Sequence, residues 1–142
     1  MSRQLRQRPT DDALSLTGIR AIPTELAPAR ASLTSYMHGL GLPAVQAQDA
    51  VLAGYEAMAN SVEHAYPPGG AGTFDLHATR GHDGVVTVTI TDHGTWKDTG
   101  TQPHAKRGRG LQLMKACSDH AEVHRGHDGT RVRLQWSPRV AA

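Results

Sequence analysis

The chain has 142 residues, 38% hydrophobic and only 4% aromatic, so its length supports one domain whose core is built from Val, Leu, Ile and Ala. With 15 basic against 13 acidic residues the net charge does not by itself indicate nucleic acid, and the single cysteine, Cys117, excludes an internal disulfide and a Cys-based zinc site. No apolar run approaches the roughly 18 to 20 residues that span a bilayer and the N-terminus lacks an apolar signal core, which predicts a cytoplasmic protein with no membrane contact.

Residues 1–12, MSRQLRQRPTDD, are polar and aperiodic and read as a disordered basic tail. A folded domain is expected over 13–137, followed by a short tail, 138–142. ALSLTGIRAI (13–22) is predicted as a first strand of weak alternation. Leu26, Leu33, Met37 and Leu40 lie at helical spacing, and the Gly39 and Gly41 region with Pro43 ends that helix. A second helix is predicted from about Ala44 to Ala65, stopped by Pro67 and Pro68. Its stretch YEAMANSVEHAY (55–66) carries Glu56, Asn60, Glu63 and His64 in a small space. At about 100° per residue from Glu56, these four fall between roughly −20° and 80°. Val51, Leu52, Tyr55, Met58, Ala59, Val62 and Tyr66 fall between roughly 200° and 320°, which predicts one buried stripe and one compact polar stripe.

The period then changes from 3.6 to 2. Phe74, Leu76 and Ala78 alternate with polar residues, as do Val86, Val88 and Ile90, and GHDG (81–84) between them signals a tight hairpin. Residues 92–108 read as a polar, glycine-bearing loop, followed by a short helix from about Arg109 to Ser118. The last hairpin pairs HAEVHR with TRVRLQW across GHDG (126–129), with Val132, Leu134 and Trp136 on one face. The expected fold is an α+β two-layer sandwich. A mixed, mostly antiparallel sheet has helices on one face and solvent on the other.

Four places carry candidate chemistry. On the second helix, Asn60 offers a neutral oxygen suited to Mg²⁺ and Glu56 can accept a proton; a solvated helix face is the plainer reading of the same stripe. TDHG (91–94) follows a Val/Ile strand, where Asp92 can accept from an exocyclic amine and Gly94 lets a flat ligand approach, or where both simply make a turn. In KRGRGLQLM (106–114), Gly108 and Gly110 sit where a loop is expected to enter a helix, whose free N–H groups can hold phosphates. Lys97, Lys106, Arg107 and Arg109 outweigh Asp98 there. The run is not a GxxxxGK[ST] loop, and it lacks the third Gly of the dinucleotide fingerprint. Gly129 and Thr130 open the last strand. Nine histidines include His120 and His124 on one strand face with His127 nearby, but no three have a spacing that demands a metal.

The order E-x-x-x-N on a helix, D-x-G after a strand, a basic loop, G-x-G opening a helix and G-T on a late strand resembles the GHKL (Bergerat) ATP-binding fold over about residues 13–136. The short length, the Glu of YEAMAN and the run RGRGLQLM look more narrowly like the anti-sigma-factor serine/threonine kinases. That resemblance implies ATP and Mg²⁺ as cofactors, Asn60 as the Mg²⁺ ligand and Glu56 as general base. It implies Asp92 receiving the adenine amino group with Gly94 beside the ring, and Thr130 supporting Asp92 or a water. Gly108, Gly110 and Leu111 would lie along the phosphates, with Arg107 or Arg109 adding positive charge. Many relatives carry a further Gly where this chain has Trp96, which bears on how the lid closes. The implied partners are a sigma factor and a small anti-anti-sigma (STAS-type) protein carrying the Ser or Thr substrate, with homodimer formation left open. Rival readings are a non-catalytic module that holds ATP and sequesters a partner, and an ATP-binding domain detached from a sensor histidine kinase. Direct nucleic-acid binding is disfavoured by the lack of aromatic stacking residues and of a basic recognition helix.

Overall fold

The computed structural model describes residues 13–67, 71–94 and 105–139, with backbone alone for 105–109. The predicted N-terminal tail, Trp96, Lys97 and Asp98 lie outside the described residues, as do the side chains of Lys106, Arg107 and Arg109. The elements run β1 (Leu14–Arg20), a 3-10 turn (Pro23–Glu25), α1 (Leu26–Gly39), α2 (Ala44–His64), β2 (Thr73–Arg80), β3 (Val86–Asp92), α3 (Ala105–Ala116), β4 (His120–Gly126) and β5 (Gly129–Trp136). The sheet order is β1-β2-β3-β5-β4, and all four pairings are antiparallel. Both GHDG turns join hairpins, as their Asp-Gly chemistry predicts. Among the described residues no helix is long and apolar enough to cross a membrane.

One sheet face is apolar. Phe74, Leu76, Ala78, Val86, Val88, Ile90, Val132, Leu134 and Trp136 are all buried there, and α1 and α2 cover them. The alternating residues of the other face (Asp75, His77, Thr87, Thr89, Thr91, Arg131, Arg133) remain half-buried or exposed. Buried Trp136 donates its indole N–H to the Cys117 carbonyl at 2.7 Å, tying the end of α3 to β5. Cys117, the single cysteine, is half-buried. Desolvation pushes its pKa up, and Asp49 nearby adds to the shift.

The weak alternation of β1 has a local cause. Its register against β2 shifts between Leu16 and Ile19. Gly18 sits there at φ +69°, in the left-handed region that favours glycine, and its N–H turns to the Asp75 carboxylate at 2.8 Å. The bulge breaks the period of 2 that the sequence pattern relies on.

The orientation of α2 differs from the expected stripe. Its buried residues are Gln46, Ala47, Ala50, Val51, Ala53, Gly54, Ala57, Met58, Asn60 and Ser61. On the scale used above these lie between roughly 40° and 220°, so the buried face is turned by roughly 130° from the expected one. Leu52 is 43% exposed, Tyr55, Ala59, Val62 and Tyr66 are half-buried, and Asn60 of the polar stripe is buried. The cause is packing on several sides, because α1, α3, β2, β3 and β5 all contact this helix. Small residues let these elements come close. At Gly54 an added Cβ would stand 2.6 Å from Leu33 Cδ2 and 3.7 Å from Val88 Cγ1.

Gly54→Val is therefore expected to lower unfolding stability by about 1–3 kcal/mol through overpacking. Leu52→Ala, on the outward side, is expected to change it by about 0.5 kcal/mol or less. Urea denaturation of both variants checks the orientation, and the reverse ranking would refute it.

Candidate functional site

Asp92 ends β3, directly opposite Thr130 at the start of β5, and is 1% exposed. Its carboxylate accepts from Ser61 Oγ on α2 at 3.0 Å, from the Gly94 N–H at 3.2 Å and from the Thr130 N–H at 3.2 Å. A carboxylate out of water needs such donors. Three elements thus fix its direction. Thr130 supports it through the backbone amide, and the neighbouring Gly129 fits because a Cβ there would overlap the Asp92 carbonyl.

The turn after Asp92 is held by a residue that the sequence pattern assigned only to packing. The Tyr66 hydroxyl accepts from the His93 N–H at 2.8 Å and donates to the Thr73 carbonyl at 2.6 Å. Its ring lies against Gly72 and Gly94, at both of which a Cβ would clash with it. At Gly94 a Cβ would also overlap the Ala65 carbonyl, so this glycine is required by close packing against the end of α2. Ser61 was likewise missed. Its only sequence signal is its place directly after Asn60 on the small-residue side of the helix.

The second cluster lies where α3 meets α2. A Cβ at Gly110 would stand 2.8 Å from Glu56 Oε2 and 3.5 Å from Asn60 Nδ2, so the three positions converge. Asn60 is 5% exposed and its carboxamide makes no hydrogen bond among the described residues, whereas Glu56 is half-buried and has a partner. Glu63 is exposed and leans to His64 Nε2 at 3.5 Å, at the far end of the stripe. Leu111 is 36% exposed.

The glycines differ from expectation in one respect. The helix begins at Ala105 rather than near Arg109, so Gly108 and Gly110 lie within α3 and not at its entrance. Only the first four N–H groups of a helix lack an intrahelical carbonyl. Gly108 falls in that set and Gly110 does not. Each helical glycine costs about 1 kcal/mol against alanine, but at position 110 the absence of a side chain is what lets α3 close on Glu56.

Chemically, the site pairs a fixed buried carboxylate at a strand end with a carboxylate, a carboxamide and a glycine at a helix crossing. The Asn60 carboxamide oxygen and the Glu56 carboxylate suit a hard cation, which takes oxygen ligands. Among the described residues no group of three His, Cys, Asp or Glu side chains could hold a metal alone. Ser61→Ala is expected to cost about 1–3 kcal/mol by leaving a buried charged acceptor short of a donor, and Tyr66→Phe a similar amount. Thermal or urea unfolding measures both, and unchanged stability would show that the two hydroxyls do not hold the turn.

Residues 19–136 match the Histidine kinase-like ATPase domain family. The fold is similar to the crystal structure of the RsbU and RsbW domains of a Mycobacterium tuberculosis protein, with TM-score 0.74 and 24% identity over 92% of this chain and 33% of that chain. It is also similar to the SiaB–SiaC complex from Pseudomonas aeruginosa, with TM-score 0.60 and 17% identity over 86% of this chain and 88% of that one. The histidine kinase domain of a blue-light activated histidine kinase from Erythrobacter litoralis gives TM-score 0.57 and 18% identity over 81% of this chain and 60% of that one. The chain thus spans about a third of the mycobacterial chain. At these identities the solved structures establish the likeness in fold. With the sequence match running from the end of β1 to the last residue of β5, this chain belongs to the histidine kinase-like ATPase domain family.

Proposed function

We propose that the chain binds Mg²⁺-ATP between α2, α3 and the end of β3, and transfers phosphate to a Ser or Thr hydroxyl of a small anti-anti-sigma (STAS-type) partner, while also binding a sigma factor. The supporting observation is the convergence of Glu56, Asn60 and Gly110, with Asn60 only 5% exposed and its carboxamide without a hydrogen bond among the described residues. Asp92 would receive the adenine amino group, its direction already set by Ser61, Gly94 and Thr130. The phosphates would lie along Gly108, Gly110 and Leu111, with Arg107 or Arg109 adding positive charge. The Asn60 oxygen would hold Mg²⁺, which when bound neutralises phosphate charge. Glu56 would accept the proton of the attacking hydroxyl, the one group in the cluster suited to a base.

The narrower assignment to the anti-sigma-factor kinases rests on the sequence resemblance of YEAMAN and RGRGLQLM. The neighbour SiaB, solved in complex with a second protein, SiaC, supports partner binding by this fold.

Millimolar Mg²⁺-ATP, at about 100 times its Kd, is expected to add roughly 2.7 kcal/mol of stability, a clear rise in Tm. Asn60→Ala should remove the Mg²⁺-dependent part of that rise and Glu63→Ala should not. Glu56→Ala should leave ATP affinity within a few-fold but lower radiolabel transfer from γ-labelled ATP to the partner by about 10² to 10⁴. Wild-type protein without any shift in millimolar ATP refutes the site. A shift without transfer to a verified partner assigns the chain to the sequestering reading instead.

A further inference from the structure

Among the described residues the sheet ends in two edge strands, β1 and β4, and they differ. The β1 edge is blunted by its bulge, because the register breaks between Leu16 and Ile19 and the Gly18 N–H turns in to Asp75. The β4 edge keeps one register against β5 over all seven residues, from His120 opposite Gln135 to Gly126 opposite Gly129, with no bulge and no proline. Gln135 turns its carbonyl toward β4, where it accepts the Asp119 N–H at 2.9 Å, and Thr130 turns its N–H the other way, to Asp92. Backbone groups alternate in direction along a strand, so Arg131, Arg133 and Gln135 bond β4, and their partners His124, Glu122 and His120 bond back. Ala121 and Val123 therefore direct N–H and C=O outward, and no backbone group of another element meets them among the described residues. Their side chains are half-buried, while His120, Glu122 and His124 stand exposed on the outer face.

We propose that β4 pairs with the β4 of a second copy of this chain, antiparallel about a two-fold axis at Val123, so that one sheet runs through both copies. In that register the two Val123 residues exchange both N–H···O bonds, and Ala121 lies opposite Arg125 of the partner subunit. Glu122 then stands opposite the partner's His124, and by symmetry His124 opposite the partner's Glu122. Glu122 already pairs with Arg133 of its own copy at 3.1 Å, so each carboxylate comes to lie between a guanidinium and an imidazole. Moving the axis by one residue breaks the match. At Glu122 it sets two carboxylates face to face, and at His124 two imidazoles. The strand is complementary to itself in one register, which favours a second copy over an unrelated strand. The pairing uses none of the residues assigned to the nucleotide.

The test is sedimentation equilibrium of the full chain without nucleotide, from micromolar to millimolar concentration. A dimer is expected, with the Val123 amide gaining protection from hydrogen exchange as concentration rises. His124→Glu sets like charges opposite across the axis while facing Arg131 within its own copy, and should weaken the dimer about tenfold. Glu122→Lys combined with His124→Glu restores opposite charges across the axis and should recover the affinity to within a few-fold. Arg20→Glu, on the β1 edge, should leave it unchanged. A monomer at every concentration, a dimer indifferent to His124→Glu, or a double variant no tighter than the single one would overturn the proposal. Nucleotide binding bears on none of these outcomes.

Discussion

Burying the Asp92 carboxylate is the constraint around which the fold is arranged. A carboxylate removed from water costs several kcal/mol unless donors replace the lost hydration. Here the donors come from the α2 helix, from the turn after β3 and from the first residues of β5. None of these lies close to Asp92 by chain connectivity alone except the turn. The serine hydroxyl reaches it only because α2 lies low on the sheet, and α2 lies low because Ala50, Ala53, Gly54, Ala57 and Ser61 present so little volume.

The same economy of volume recurs wherever another element meets α2. Leu33 and Val88 fill the space above Gly54, the turn after Asp92 closes on Ala65 at Gly94, and α3 closes on Glu56 at Gly110. In each case a Cβ would displace a neighbour. This helix is thus the hub, and its polar residues are held among packed elements rather than left on a wet face. Glu56 and Asn60 owe their proximity to Gly110 to that packing, which is the preorganisation that a binding or transfer site requires.

The two faces of the sheet divide the labour. The inner face is apolar and supports the helices, while the outer face is a field of Thr, His and Arg whose carboxylates are already engaged. The β3–β5 pairing links them, since Asp92 and Thr91 are adjacent residues that point to opposite sides.

Much of this architecture is legible in the sequence because it is local. Alternation in β2, β3 and β5, the two Asp-Gly hairpins and the helix between Pro43 and Pro67 depend on neighbours within a few residues, and the structure has them where the pattern puts them. Glu56, Asn60, Asp92 and Gly110 could be picked out by type and order. What depends on contacts between distant segments could not. The face that α2 buries was misjudged because hydrophobicity favours Leu52 and Tyr55, whereas closeness to five neighbouring elements favours alanine and glycine. The start of α3 was placed too late because glycine reads as a break when its value is the space it leaves for Glu56. Local pattern is enough for the order of elements and the apolar face of the sheet. Tertiary structure alone decided that Ser61 and Tyr66 hold Asp92 and its turn, because a hydrogen bond between residues 31 apart is set by packing and leaves no mark on local period.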